Sequence, residues 1–375
     1  MKDSIKKLRE INESIWLDNL SRRMIESGEL RRLIQEEGIT GITSNPTIFQ
    51  KAISGSRDYD ASLRKMLEKG VREEKELFLG LALEDITRAA DLLWPVYQES
   101  KGMDGFVSIE VSPDLAYDTE KTIAEARRLF STLGKKNVLV KVPGTEPGLP
   151  AIEQLTAEGI NVNVTLLFSV TRYEEVAQAY LLGLEKRARQ GKPLEEVSSV
   201  ASFFVSRVDT LADKLLEARM VSSSSEAVKE KCRKLQGKAA VANAKIAYGK
   251  YREIFSGKRF HSLKGARLQR ILWGSTGTKN PRYSDLKYVD ELIGRDSINT
   301  LPDATLKAFM DHGNSEITID RGLEDAGKVF PALKAVGVDI DRVTEELEKE
   351  GVKLFSDSFF TLLKEIAQKR DSFRA

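Results

Sequence analysis

The sequence contains a single cysteine, Cys232, and only two histidines, His261 and His312, far apart in the chain. One thiol cannot build an intrachain disulfide framework, and this scarcity suits a reducing cytoplasm. Two isolated imidazoles argue against a histidine-rich zinc site. No apolar run approaches the roughly 18 residues that suggest a membrane span. An excess of one charge is also missing, since 59 Lys and Arg face 57 Asp and Glu over 375 residues. That balance gives no reason to expect nucleic acid or an acidic membrane surface as partner. The opening stretch MKDSIKKLREINES is charged throughout, so it is expected to form an amphipathic helix and not a secretory signal. These absences point to a soluble cytoplasmic protein. They leave the oligomeric state open, a homodimer included.

The chain does alternate short apolar runs with longer stretches whose apolar positions lie three and four apart, the pattern of a parallel sheet. The expected strands are residues 14–19 (SIWLDN), 38–45 (GITGITSN), 105–112 (GFVSIEVS) and 137–144 (NVLVKVPG), then 161–168 (NVNVTLLF), 199–208 (SVASFFVSRV), 267–276 (RLQRILWGST) and 296–302 (DSINTLP). Eight is the number that closes a (β/α)8 TIM-type barrel; an open doubly wound sheet is the alternative. Residues 120–133, 171–190 and 284–294 read as helices. The link 45–105 should hold two helices, with Pro95 bending or ending the second. Ser222–Ser225 reads as a loop between helices in the link 208–267. The whole chain, 1–375, is expected to be one catalytic domain. Its barrel would span about residues 14–312, with helical decoration at 1–13 and 313–375.

Alternate residues of a strand point to opposite faces. Val138, Val140 and Val142 share one face, and Leu139 and Lys141 the other; Val107, Ile109 and Val111 oppose Phe106, Ser108 and Glu110. The same alternation sets Val162 and Val164 against Asn163 and Thr165, Ile15 and Leu17 against Trp16 and Asp18, and Phe203 against Ser202 and Phe204. The all-apolar faces should pack on the helices, so the mixed faces point into the barrel. Asp18, Asn45, Glu110, Lys141, Asn163, Thr165 and Ser202 are then expected to converge at the C-terminal mouth, where barrel enzymes hold their sites. Plainer roles exist for each. An asparagine before proline, as at Asn45, often only caps a helix or makes a turn, Thr165 and Ser202 could be packing residues, and Lys141 could be half of an internal ion pair.

An amine withdrawn from water loses part of the preference for its charged form, and a neutral amine can attack a ketone to form a Schiff base, an electron sink for carbon–carbon cleavage. That route needs neither metal nor cofactor. Glu110 and Asp18 could move the protons, one through a water and one at a substrate hydroxyl; Asn45 and Asn163 could hold sugar hydroxyls. GSTGTKN, residues 274–280, follows the seventh strand, where barrels often bind phosphate. Ser275 and Lys279 supply a hydroxyl and a charge there, and Arg207 could add a second cation. A glycine-rich turn and a surface salt bridge are the plainer readings of these segments.

The motifs WLDNLSR, GITSNPTIF, VSIEVSP, VLVKVPGT, NVNVTLLFS, ASFFVSRVD and LWGSTGTKNPRYSD, followed by YVDELIGRDSINTLPDATL, cover nearly the whole chain. In these the sequence resembles the transaldolase family, specifically its longer bacterial branch. The resemblance implies transfer of a dihydroxyacetone unit from a ketose phosphate, fructose 6-phosphate or sedoheptulose 7-phosphate, to an aldose phosphate, in the pentose phosphate pathway. It places the Schiff-base lysine at Lys141, the carboxylate acting through a water at Glu110, and the acid handling the C4 hydroxyl proton at Asp18. Asn45 and Asn163 fall on the sugar-binding asparagines, Thr165 on the water contact, Ser202 on the dihydroxyacetone contact, and Arg207 on the phosphate-binding arginine. Two features depart from the compact members. Their Ser-x-Arg-Asn motif is replaced by Ser275 and Lys279 with extra residues between, and this chain is longer. Fructose-6-phosphate aldolases tend to carry glutamine at Glu110 and tyrosine at Phe204, so both positions favour transfer over release. A plain class I aldolase and a non-catalytic sugar-phosphate binder are the competing readings.

Overall fold

The computed structural model describes residues 4–373. Eight parallel strands close into one ring in chain order: β1 (Ser14–Leu17), β2 (Gly41–Ile42), β3 (Phe106–Glu110), β4 (Val138–Pro143), β5 (Val162–Leu167), β6 (Ser199–Phe204), β7 (Gln269–Gly274) and β8 (Ile298–Leu301). β1 pairs with both β2 and β8, so no sheet edge is left and the open-sheet alternative falls.

The inward and outward faces follow the alternation of the sequence. Val138, Val140, Val142, Val107 and Ile109 belong to the large core shared with the helices. Trp16, Phe106, Leu139, Val200, Leu272 and Ile298 form a separate apolar cluster, the floor inside the barrel. The Trp16 indole lies flat against β2. A Cβ at Gly41 would come within 2.3 Å of its ring, so only glycine fits there. The indole N–H donates to Asp104 at 2.8 Å, satisfying the one polar atom of this floor residue.

Several expected boundaries shift. The second strand is a two-residue ladder, although Thr40 and Thr43 extend its hydrogen bonds to the carbonyls of Ile15 and Leu17. The sixth ends at Phe204 instead of residue 208, because Val205 leaves the extended region and a helix, Ser206–Ser222, starts at once. Arg207 therefore lies in the first turn of a helix. β5 carries a bulge at Leu166, whose φ of +61° breaks the alternation after Val164. The link 45–105 holds three helices, Pro46–Ile53, Asp60–Glu68 and Glu74–Glu99, and the last runs on through Pro95. Residues 284–294 are helical only over Lys287–Asp290, with Leu286, Val289, Leu292 and Ile293 buried along the segment. The amphipathic start is a helix over Ser4–Arg9; residues 1–3 of that expectation lie outside the described residues. Beyond β8 come helices Asp303–His312 and Leu323–Ala335, then a C-terminal helix, Ile340–Ser372, 33 residues long. No helix among the described residues is long and apolar enough to cross a membrane.

At the opposite pole Glu13 is buried; one oxygen accepts the Gly294 N–H at 2.9 Å, and the other has no partner. Burial pushes this carboxyl from 4.5 up to about 8, against the pull of that N–H and of Arg270. A raised carboxylate pKa costs nothing below about 4.5, costs more as pH climbs to 8, and is constant above. Glu13→Gln should therefore melt with the wild type near pH 4.5 and be more stable by roughly 3 kcal/mol at pH 7. Melts from pH 4.5 to 9 that run parallel would show that Glu13 ionises normally.

Candidate active site

β3, β4 and β5 place Glu110, Lys141 and Asn163 side by side in register, all pointing inward above the floor. Lys141 is 3% exposed. Its Nζ lies 3.3 Å from the Ser44 carbonyl and 3.6 Å from Glu110 Oε2, with the Phe355 ring centre at 6.0 Å. A buried ammonium and carboxylate so loosely joined forgo most of the hydrogen bonding that makes internal ion pairs stable. Neither Glu110 oxygen has a hydrogen-bond partner, nor has the buried Thr165 hydroxyl. Burial pushes Glu110 from 4.5 up to about 7; Lys141 pulls the other way and Asp18 adds to the rise. A cavity of about 10 Å³ beside Glu110, Ser44 and Asn45 has the room one water needs.

Asp18, at the end of β1, accepts the Thr43 hydroxyl at 2.8 Å, and Thr43 meets Thr300 at 2.7 Å. Although partly accessible through the cavity mouth, Asp18 is set deep below the surface. Burial raises its pKa, while Lys141 and then Thr43 hold it down and Asp303 pushes it up. Asn45 does cap a helix: its Oδ1 accepts the Ile48 N–H at 3.0 Å. The cap uses only the carbonyl oxygen, so the amide nitrogen remains for a ligand. Asn163 lies deeper, donating to Ser108 at 2.9 Å and accepting from Ser202 at 2.7 Å.

Asp18, Asn45, Lys141, Ser202, Phe204, Arg207, Ser275 and Lys279 line one cavity of about 350 Å³ at the C-terminal mouth. Glu110, Asn163 and Thr165 stand behind that wall, beside Lys141 and Ser202. At the other end of the cavity, Arg207 has no carboxylate within ion-pair distance among the described residues, and neither does Lys279. Burial lowers the pKa of Arg207, partly offset by Glu350; burial and then repulsion from Arg207 lower that of Lys279. Two neighbouring cations with no carboxylate in ion-pair contact suit an anion site. Ser275 adds to it from a left-handed backbone, φ +54°, tied to Ser206 at the start of the Ser206–Ser222 helix. Among the described residues no group of three or more His, Cys, Asp or Glu is placed to hold a metal ion.

Residues 15–366 match the family model described as Transaldolase/Fructose-6-phosphate aldolase. The chain is 46% identical over 369 residues to a transaldolase of Trichodesmium erythraeum, covering 96% of each. The same identity extends over 376 residues to one of Saccharopolyspora erythraea, at 98% of each chain, and over 363 residues to one of Mycobacterium bovis, at 96% and 95%. The chain belongs to the transaldolase family. It is an enzyme, and its activity is that of a transaldolase, the transfer of a dihydroxyacetone unit between sugar phosphates through a lysine Schiff base.

Some of this candidate site escaped the sequence. Thr43 and Thr300 share the inward face with Gly41 and Ile298, so the same alternation could have flagged them. Leu354, Phe355 and Ser358 come from the C-terminal helix and form one wall of the cavity. That helix is fixed across the mouth by Thr47 to Ser358 at 2.9 Å and by Lys369 to Asp60 at 2.6 Å. It also approaches β5 closely at Gly351, where a Cβ would meet Leu166 at 3.0 Å. An apolar residue some two hundred positions from Lys141, with ordinary helical spacing, carries no sequence signal of such a role.

Proposed function

We propose that Lys141 is the nucleophile and that fructose 6-phosphate or sedoheptulose 7-phosphate is the donor. The observation that carries this reading is the Lys141 amine, buried between Glu110 and Asp18 at the base of a cavity whose far end holds two unpaired cations. Neutral Nζ attacks the C2 carbonyl; Glu110, through a water held near Thr165, moves the protons that let the carbinolamine lose water to an iminium. Asp18 takes the C4 hydroxyl proton, the C3–C4 bond breaks, and its electron pair flows into the iminium to give an enamine. The aldose phosphate leaves and an acceptor aldehyde replaces it. C3 of the enamine attacks the new carbonyl, Asp18 returns the proton to the oxygen formed, and water re-adds at C2 to release the ketose product.

Ser202 and Asn45 hold the dihydroxyacetone hydroxyls, with Asn163 acting through Ser202, while Arg207, Lys279 and Ser275 hold the phosphate. Phe204 and Glu110 stand where tyrosine and glutamine would favour release of the free three-carbon unit, so transfer dominates. The chain acts as one catalytic unit, with the barrel at about 14–312. The lone, buried Cys232 suits work in the cytoplasm. Borohydride reduction with fructose 6-phosphate should leave a three-carbon adduct on the peptide containing Lys141, read by mass spectrometry. An adduct on another lysine, or none in enzyme that is turning over, would rule the proposal out.

A further inference from the structure

Two buried carboxylates have no part in the mechanism above. Asp209 and Asp213 lie one turn apart on the Ser206–Ser222 helix, the helix that presents Arg207. Asp209 accepts Lys287 Nζ at 2.8 Å, the Tyr288 hydroxyl at 3.0 Å and the Ala240 N–H at 2.7 Å. Asp213 accepts the Tyr283 hydroxyl at 2.6 Å and the Gly237 N–H at 2.8 Å. Lys287 Nζ also lies 3.9 Å from the Tyr283 ring centre. All three partner side chains follow the loop that carries Lys279. That loop is tied at its start by Ser275 to Ser206 and closed on itself by Thr278 to Ser284 at 2.8 Å. Lys279 stands between the substrate cavity and a side cavity of about 230 Å³ that contains Asp209 and Asp213.

We infer that Asp209 and Asp213, engaged by Tyr283, Lys287 and Tyr288, form a positioning clamp that keeps Lys279 beside Arg207 in the phosphate end of the substrate cavity. The inference rests on the reading of Arg207 and Lys279 as the phosphate site. The clamp acts in two ways. It fixes the loop to the helix that bears the other cation, and it occupies carboxylate oxygens that would otherwise draw Lys279 into the side cavity. Tyr283, Asp209 and Asp213 are thus positioning residues for phosphate affinity.

Tyr283→Phe keeps the ring against Lys287 and removes only the hydroxyl that holds Asp213. It should raise the inhibition constant of inorganic phosphate, competing with fructose 6-phosphate, by about tenfold, the size expected for one hydrogen bond to a charged group. The KM for fructose 6-phosphate should rise with it, and kcat far less. Lys279→Ala should raise the same inhibition constant by at least as much. In the Lys279→Ala background, Tyr283→Phe should then add less than about twofold, because the clamp works through Lys279. A loss caused by general loosening would persist in that background, and full additivity of the two changes would overturn the clamp. A rise with Lys279→Ala but none with Tyr283→Phe would also overturn it while leaving the phosphate site intact. No rise with Lys279→Ala would overturn the clamp together with the assignment of Lys279 to phosphate.

Discussion

Lys141→Arg is expected to lower kcat by roughly four to six orders of magnitude, the scale of losing a covalent nucleophile. A guanidinium stays protonated at any working pH and forms no Schiff base. It does keep a positive charge facing Glu110, so the variant does not strand a buried carboxylate. Arg207, Lys279 and Ser275 lie at the other end of the cavity and are untouched. Fructose 6-phosphate should therefore still bind and raise the melting temperature of the variant, by the increment that ligand linkage gives for a Kd near that of the wild type. Stopped turnover with intact binding is the signature of a lost chemical step. Turnover near the wild-type rate would remove Lys141 from the mechanism. Loss of binding together with turnover would place its role in holding the cavity open, and Lys141→Met, which keeps the aliphatic stem, would tell that case from misfolding.

The barrel and the centre of the site were legible because both depend on one period. Once the eight apolar runs are read as strands, residues two apart share a face, and the face that carries Leu139 must carry Lys141. The floor cluster of Trp16, Phe106, Leu139 and Val200 confirms that choice of face without reference to any active-site residue. What was illegible depended on relations between elements distant in sequence. Phe355 reaches Lys141 because a 33-residue helix crosses the mouth, and nothing in a periodic apolar pattern tells which surface a helix will cover. Arg207 falls inside the expected strand 199–208; its place in a helical turn follows from the abrupt backbone change at Val205. Asn163 read as a sugar contact; it lies against Ser108 and Ser202, giving one amide N–H to the first and accepting from the second, neighbours that three-dimensional packing alone supplies. The bulge at Leu166 interrupts the alternation of β5, and its side chain lies against the C-terminal helix at Gly351.

Glu110→Gln is expected to lower kcat/KM on its plateau by roughly two to four orders of magnitude, the range for removing a positioned proton carrier. The pH profile identifies the group more sharply than the magnitude does. Glu110 has to accept a proton during the reaction, and as pH falls through about 7 it already carries one and cannot. Wild-type kcat/KM should then fall about tenfold per pH unit below 7 and level off above it. The substrate's own phosphate also titrates, near 6, and could imitate such a limb. Glutamine at position 110 separates the two, since a substrate limb survives the change and an enzyme limb does not. A limb near 7 that persists in Glu110→Gln would take Glu110 out of the proton path. If it disappears, the burial that makes this carboxyl costly to ionise is also what brings its proton within reach at neutral pH, so the dry barrel tunes the acid as well as sheltering the amine.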